Sequence, residues 1–364
     1  MPKYIYQFEN WTEFSWQNAV VSAALGEMRL LQGKILGQIH SLGFASKEEK
    51  NLETLTLDVV KSSEIEGENL NYEQVRSSIA RRLGINTAGL VPSSRNVEGV
   101  VEMMLDATQN YQNPLTEARL FGWHAALFPE GYSGMYKIEV AQYRTGEVQV
   151  VSGAMGKEKV HYEAVAAKNV KAEMNKFLLW LNDEKVVIDS VLKSAIAHFW
   201  FIIIHPFDDG NGRITRAISD MLLARSEKST ERFYSLSKQI LAERNAYYEI
   251  LKKSQHSNDI TEWLVWFLNC LKHALQETEN SMKNILLKAA FWEKHKNTPI
   301  NERQRLMMNK LFDDFYGKLT SSKWAKITKC STDTALRDIK DLIEKGIMRQ
   351  DEAGGRSANY TLRA

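Results

Sequence analysis

His205-Pro206-Phe207-Asp208-Asp209-Gly210-Asn211-Gly212-Arg213-Ile214-Thr215-Arg216 is the stretch from which the rest of the chain can be read. An apolar run over residues 195–204 leads into it, long enough for a buried helix. Pro206 disfavours helical geometry in the residue before it, so that helix ends at His205. Gly210 and Gly212 let the backbone approach a ligand closely, and a second helix is expected to begin near Arg213 with its unpaired N–H groups facing the loop. A helix start of this kind is an anion site. Arg213 and Arg216 share one helix face, within reach of successive phosphates in two-pronged contacts. Asp209 offers a hard oxygen suited to Mg²⁺, an ion that keeps several waters and sits on one or two carboxylates plus substrate phosphates. Together these residues describe a phosphoryl- or nucleotidyl-transfer site. The plainer alternative is a helix–loop–helix corner with a buried histidine and two surface arginines, but this many specified residues in so short a span are hard to obtain by accident.

The stretch resembles the signature of the Fic family, His-x-Phe-x-(Asp/Glu)-Gly-Asn-Gly-Arg-x-x-Arg, and matches it at every fixed position. The resemblance implies a mainly α fold, a Fic-type helical core with a short β-hairpin flap. It also implies transfer of AMP from Mg-ATP to a Ser, Thr or Tyr hydroxyl of a target protein, the protein itself included, with release of pyrophosphate. His205 would take the proton from the acceptor hydroxyl while Phe207 packs under the loop. Asp209 would hold Mg²⁺. Asn211 and the backbone around Gly210 and Gly212 would cradle the phosphates, and Arg213 and Arg216 would grip the outer ones. Asp208 receives no role.

A chain of 364 residues suggests two or three domains, here 1–93, 94–295 and 296–364. With 44% hydrophobic and 25% charged residues it has the make-up of a soluble globular protein, and a net charge of +2 argues for no particular partner. Cys270 and Cys330 form no metal-ligand cluster and suit a reducing compartment. No apolar run approaches a membrane span, and Glu9, Asn10 and Trp11 interrupt any signal-peptide core, so a cytoplasmic protein with no membrane partner is expected. Few prolines and few β-branched alternations point to a mainly helical chain.

Thr12 or Ser15 is expected to cap a first helix reaching about residue 41, with Val20, Met28, Ile35 and Ile39 at helical spacing and Gly43 as its stop. Ser46 opens a second, which closes on Ser62-Ser63-Glu64-Ile65-Glu66-Gly67. An acidic last turn opposes the helix dipole and asks for a nearby cation. Here the resemblance implies an inhibitory helix ending in (Ser/Thr)-x-x-x-Glu-(Gly/Asn), matched by Ser62, Glu66 and Gly67, in which the glutamate pairs with Arg216 and blocks seating of the γ-phosphate.

Residues 71–83, 96–111 and 115–128 read as further helices, the last carrying His124 as a packed core residue. Val148, Gln149, Val150 and Val151 alternate enough for a short strand. The resemblance makes this a flap, entered through Arg144-Thr145-Gly146, whose edge pairs with the target's backbone. Residues 168–182 and 189–204 build the helices that deliver the motif. Of the pair Tyr247-Tyr248, one ring is expected buried and one exposed, and the resemblance places Tyr247 and Gln255 in an adenine pocket. Residues 260–294 continue as one or two helices.

From Asn301 the pattern changes to helices over 302–315, 321–328 and 331–345, then strands at 347–351 and 359–362 around a Gly354-Gly355 turn, the outline of a C-terminal winged helix. Residues 301–364 hold 13 basic and 9 acidic side chains. Lys323, Lys326, Lys329, Arg337 and Arg356 lie near its recognition helix and wing, where Asp333, Asp338 and Asp341 dilute the charge. Binding to duplex DNA and contact with protein both stay open. So do a homodimer, a DNA-binding regulator with a nucleotide-sensing core, and Fic-type removal of AMP or transfer of phosphate.

Overall fold

A computed structural model describes residues 3–40, 44–86, 89–152, 159–312, 315, 317–351 and 358–363. They divide into two compact units, Met1–Thr278 and Glu279–Ala364. Both are built mainly of helices, with three two-stranded antiparallel sheets among the described residues.

In the first unit α1 (Asn18–His40), α2 (Phe44–Ile65), α3 (Tyr72–Leu83), α4 (Arg95–Gln109) and α5 (Glu117–Leu127) precede two hairpins. The first hairpin pairs β1 (Tyr132–Ser133) with β2 (Tyr136–Lys137), and the second pairs β3 (Gln149–Ser152) with β4 (Lys159–Glu163). Then follow α6 (Ala167–Asn182), α7 (Ser190–Ile204), α8 (Asn211–Glu227), α9 (Leu236–Ala242), α10 (Arg244–Ser254) and α11 (Thr261–Lys294), the last crossing into the second unit. No described helix is long and apolar enough to cross a membrane.

α7 is the centre of this unit because nearly every face of it is apolar. Val191, Ala195, Phe199, Phe201 and Ile204 are all fully buried, and burying each large side chain contributes about 1.5–3 kcal/mol. Asp189 starts the helix by accepting a hydrogen bond from the Val191 amide at 2.8 Å. His205 ends it in the left-handed region at φ 52°, the conformation that lets Pro206 follow without a helical residue before it. α8 runs back along α7 and meets it through Thr215 and Ser219, which bond to the His198 carbonyl and ring, while Ile214, Ala217, Ile218 and Met221 are buried as well.

Several expected boundaries move. α1 begins at Asn18, not at Thr12 or Ser15, because the Ser15 backbone is bonded to Asn258 and Ile260 at 2.9 Å each, an extended pairing that helical geometry forbids. With that start, Val21 rather than Val20 heads the buried stripe with Met28, Ile35 and Ile39. α2 begins at Phe44, ahead of Ser46, and the Gly43 stop lies outside the described residues. α8 begins at Asn211, two residues before Arg213, because Gly210 at φ 82° already closes the loop. α9, capped by Ser235, has no counterpart in the sequence reading, which passed over its seven residues.

The second unit contains α12 (Glu302–Phe312), α13 (Ser321–Thr328), α14 (Thr332–Glu344) and the antiparallel pair β5 (Met348–Gln350) and β6 (Tyr360–Leu362). Met307, Met308, Trp324, Ile339, Leu342, Ile347 and Tyr360 form its core. α12 is described as far as Phe312, and Phe315, expected in it, is not helical. Gly354, Gly355 and Arg356 lie outside the described residues. Two of the acids expected to dilute the charge of α14 are engaged by neighbours, and Asp338 is also nearly buried. Asp338 pairs with Arg303 at 2.8 Å, and Asp341 accepts from Gln304 at 2.7 Å and pairs with Lys345.

Candidate active site

The left-handed turn at His205 sets its ring at the mouth of a cavity of about 620 Å³ in the first unit. Nδ1 lies 3.3 Å from the Ile202 carbonyl, an acceptor only, so Nδ1 carries the proton and Nε2 is the free base. Burial pushes the ring's pKa down to about 4, against smaller opposing effects from the Ile202 carbonyl, Glu66 and Asp209, so it is neutral at pH 7.

The loop after His205 is stiff. Phe207 is fully buried beneath it and stacks on His124, centroids 4.2 Å apart. His124 accepts the Ala141 amide at Nδ1, which leaves Nε2 as donor to the Asp209 carbonyl at 3.2 Å. It is a core residue, as expected, but one that fixes the motif's backbone; burial lowers its pKa to about 4 and keeps it neutral. Asn211 has a role beyond the expected one. Its amide oxygen accepts the Phe207 N–H at 3.0 Å and its nitrogen donates to the Phe207 carbonyl at 2.8 Å, so the buried side chain braces the loop and keeps at most its second N–H for a phosphate. Asp208, given no role from sequence, accepts the Glu139 amide at 3.0 Å and ties the loop to the segment after β2.

α8 then starts with no side chain capping it, so its first amides face the loop. Gly212 leaves room for Glu66: a Cβ there would stand 1.9 Å from its carboxylate oxygen and push that side chain aside. Arg216 is 1% exposed and donates from Nε to Ser62 Oγ at 2.8 Å, and from Nη2 to the Ser62 carbonyl at 2.9 Å and to Glu66 Oε1 at 2.8 Å. Its Nη1 is buried without a partner among the described residues, as is Nε of Arg213. Unmet cationic donors beside a bare helix start fit an anion.

The end of α2 explains why Glu66 arrives there. The Glu68 amide bonds back to the Ser63 carbonyl and the Gly67 amide to that of Glu64, both at 3.0 Å, with Gly67 at φ 86°. This left-handed C-terminal lock turns the chain so that both flanking carboxylates meet α8. Glu68, which the sequence reading did not single out, pairs with Arg213 at 2.7 Å. An S-x-x-x-E-G pattern followed at once by a second glutamate was the signal available for it.

Asp209 is partly exposed, bonded to Ser133 of β1 and to the Gly210 amide, and stands 3.8 Å from Arg213. Among the described residues no three His, Cys, Asp or Glu side chains gather as a protein-only metal cage. One exposed carboxylate beside an anion site fits a Mg²⁺ completed by phosphates and water.

The cavity brings together His205, Gly212 and Glu66 with Val148, Gln149, Tyr247 and Gln255. Asp209 and Arg213 do not line it, since they lie on the side of the loop toward Ser133 and Phe128. Tyr247 is the buried member of its pair, its hydroxyl 2.9 Å from His198 Nε2, and Tyr248, 41% exposed, offers its ring to the same cavity. Gln255 is nearly buried. Val148 precedes β3 and accepts the Ala164 amide at 3.0 Å through its carbonyl. Gln149, Val150 and Val151 are in β3, which among the described residues pairs with β4, with a bulge between Val150 and Val151. The side chains of Val150 and Val151 lie outside the described set.

Part of the chain, the motif included, is similar to known proteins. The Fic/DOC family model matches residues 114–223, and the model called Domain of unknown function (DUF4172) matches residues 4–85. The stretch matched by the Fic/DOC model contains α7, the motif and most of α8. Protein adenylyltransferase fic-1 of Caenorhabditis elegans is 32% identical over 90 residues, 24% of this chain and 16% of that protein. A probable protein adenylyltransferase of Aquifex aeolicus is 43% identical over 67 residues, 18% of this chain and 21% of that one. The matched stretch is thus a small part of either relative. A Fic family protein from Desulfovibrio desulfuricans G20 shares the fold, with a TM-score of 0.53 at 21% identity over 94% of this chain and 96% of that one.

Proposed function

We propose that this chain transfers AMP from ATP to a Ser, Thr or Tyr hydroxyl of a target protein, itself included, and that Glu66 holds it inactive. The observation behind this reading is the meeting, around one cavity, of a free His205 Nε2, Gly212 at the uncapped start of α8 and Glu66, whose carboxylate holds Arg216 behind it at 2.8 Å. Nε2 takes the acceptor's proton, the acceptor oxygen bonds to the α-phosphorus, and the bond from that phosphorus to the bridging oxygen breaks as pyrophosphate leaves. The α8 amides, Arg213 and Arg216 bind the phosphates. Asp209 would hold Mg²⁺, which when bound neutralises charge on phosphate oxygens. Tyr247, Tyr248 and Gln255 receive the adenine, and the edge from Val148 to Val151 pairs with the target backbone. While Glu66 keeps Arg216, ATP seats with its α-phosphate out of line, and alignment at that atom governs the rate.

The reading divides the chain into an N-terminal region with the inhibitory helix (1–93), a catalytic core (94–295) and a winged-helix tail (296–364). For the tail we propose duplex DNA as partner, because Arg337 and Lys340 are exposed on α14 while Asp338 and Asp341 are engaged by neighbours.

Incubation with Mg²⁺ and either α- or γ-labelled ATP tests the main reading. The α-label should become attached, faster in Glu66→Gly than in the wild type, and His205→Ala should lose about 10²–10⁴-fold in rate while still binding ATP. Attachment of the γ-label would mean phosphate transfer instead. An unlabelled Glu66→Gly variant would sink the proposal.

A further inference from the structure

The final carbonyls of α7 are accounted for one by one, and most lead to the flap. The Ile202 carbonyl takes His205 Nδ1, and that of Ile203 takes the Tyr162 hydroxyl of β4 at 2.6 Å. His205 and Pro206 direct their carbonyls to a single residue, Arg144, through Nε at 2.8 Å and through its backbone amide at 3.0 Å, with Ile204 a longer contact at 3.5 Å. The same guanidinium donates from Nη1 to the Gly146 carbonyl at 2.8 Å and from Nη2 to that of Val165. Gly146 precedes β3 and Val165 follows β4, so one side chain grips both arms of the flap and the backbone of the proposed base.

Arg144 is 2% exposed, and among the described residues no carboxylate lies within ion-pair distance of it. A buried cation without a counter-ion is costly. The partial negative charge at the C-terminus of α7 offsets that cost, since the arginine sits on the helix's last carbonyls. Only arginine has a rigid fork of donors pointing in several directions. Lysine has three donors on one point and cannot span carbonyls of the helix end and of both flap arms together.

We propose that Arg144 is a positioning residue, holding His205 and the flap in one register so that an acceptor hydroxyl carried by the flap edge arrives at Nε2. The proposal rests on the transfer reading above. It explains how the left-handed backbone at His205 is held, a conformation that costs about 1–2 kcal/mol for a residue with a Cβ. Besides burial, three charged groups act on the His205 ring: Arg144 favours its neutral form, while Glu66 and Asp209 favour the charged one.

The test uses the full chain in the Glu66→Gly background, with Arg144→Lys, Arg144→Met and Tyr162→Phe added singly. Self-labelling from α-labelled ATP gives kcat and the KM for ATP, and thermal melting reports folding. Arg144→Lys should lower kcat about 10²-fold, as expected for a displacement near 1 Å, with the KM for ATP changed less than about threefold. Arg144→Met should lose at least as much and also move the acid limb of kcat upward, because it removes a charge that lysine keeps. Tyr162→Phe, which deletes one companion bond, should lower kcat less and in the same direction, and it decides the matter if the arginine variants do not fold. Full kcat in Arg144→Lys, or a fall in kcat matched by an equal rise in KM, would overturn the proposal. If Glu66→Gly itself takes no label, the transfer reading has failed. The His205 ring resonances of wild type and Arg144→Lys then decide separately, and identical shifts and titration would overturn the positioning role.

Discussion

At His205 the direction of a pKa shift becomes a statement about the working range. The base must be unprotonated, and burial holds its pKa at about 4, below the ordinary 6.5. Its neutral form therefore persists into acid where an exposed histidine would be charged. In Glu66→Gly the nearby carboxylate that favoured protonation is gone, which lowers the pKa further. Label transfer by that variant, measured as kcat/KM against pH, should stay level down to about pH 5 and fall below it. An acid limb centred at 6.5 would show that the ring is solvated and that the buried geometry is wrong. The same sign governs stability. A folded pKa below the unfolded one means that the unfolded chain binds more protons between the two values, so the contribution is complete above about 6.5 and is lost as pH falls toward 4. His124, at about 4, and His198, at about 3, add to the same trend. From the sequence, His205 was legible because proline and two glycines bracket it. The bracing role of Asn211 was not legible, because an amide's identity gives its hydrogen-bonding capacity and not its partners, which here include both backbone groups of Phe207.

At the scale of elements, the junction between α2 and α8 is decided by how α2 stops. A helix that ended by fraying would leave Glu66 and Glu68 free in solvent. The left-handed Gly67, with its two backward hydrogen bonds, instead delivers one carboxylate to each arginine. Gly67→Ala forces a Cβ into φ 86° with space around it, so the cost is conformational, about 1–2 kcal/mol, and is relieved by opening the turn. Self-labelling by Gly67→Ala should therefore exceed the wild-type rate and fall short of Glu66→Gly. A rate equal to wild type, with unchanged melting, would mean that the carboxylates do not depend on this turn. The acidic last turn of α2 announced its need for a cation in the sequence. The pairing of Glu68 with Arg213 did not show, because which side chains meet across a left-handed turn follows from backbone direction and not from spacing. The start of α1 was misjudged for a related reason, since the chain around Ser15 is claimed by a backbone pairing more than two hundred residues away.

For the molecule as a whole, two units with separate cores pose separate questions, and the second is electrostatic. In sequence, the recognition segment of the tail looks nearly neutral, with three aspartates against its basic residues. Folding engages two of them: Asp338 is nearly buried against Arg303, and Asp341 is shared by Lys345 and Gln304, so each is neutralised by a cation beside it. The exposed side chains Arg337 and Lys340 on α14, with Lys326 and Lys329 at the end of α13 and Arg349 on β5, then face solvent beside Asp333 and Glu344. The proposed duplex partner would be held by displacing counter-ions, so affinity should fall as salt rises, with a log–log slope of about −0.9 per phosphate neutralised. Fluorescence anisotropy of the full chain with a labelled duplex pool, at about 50 and 200 mM salt, measures that slope. Arg337→Ala and Lys340→Ala should each weaken binding and make the slope shallower by about 1, whereas Arg303→Ala, which frees Asp338 to repel phosphate, should weaken binding without removing a contact and leave the slope nearly unchanged. Binding that ignores both α14 variants would move the contact elsewhere on the chain. No binding to any duplex at the lower salt would make the tail a protein-contact module.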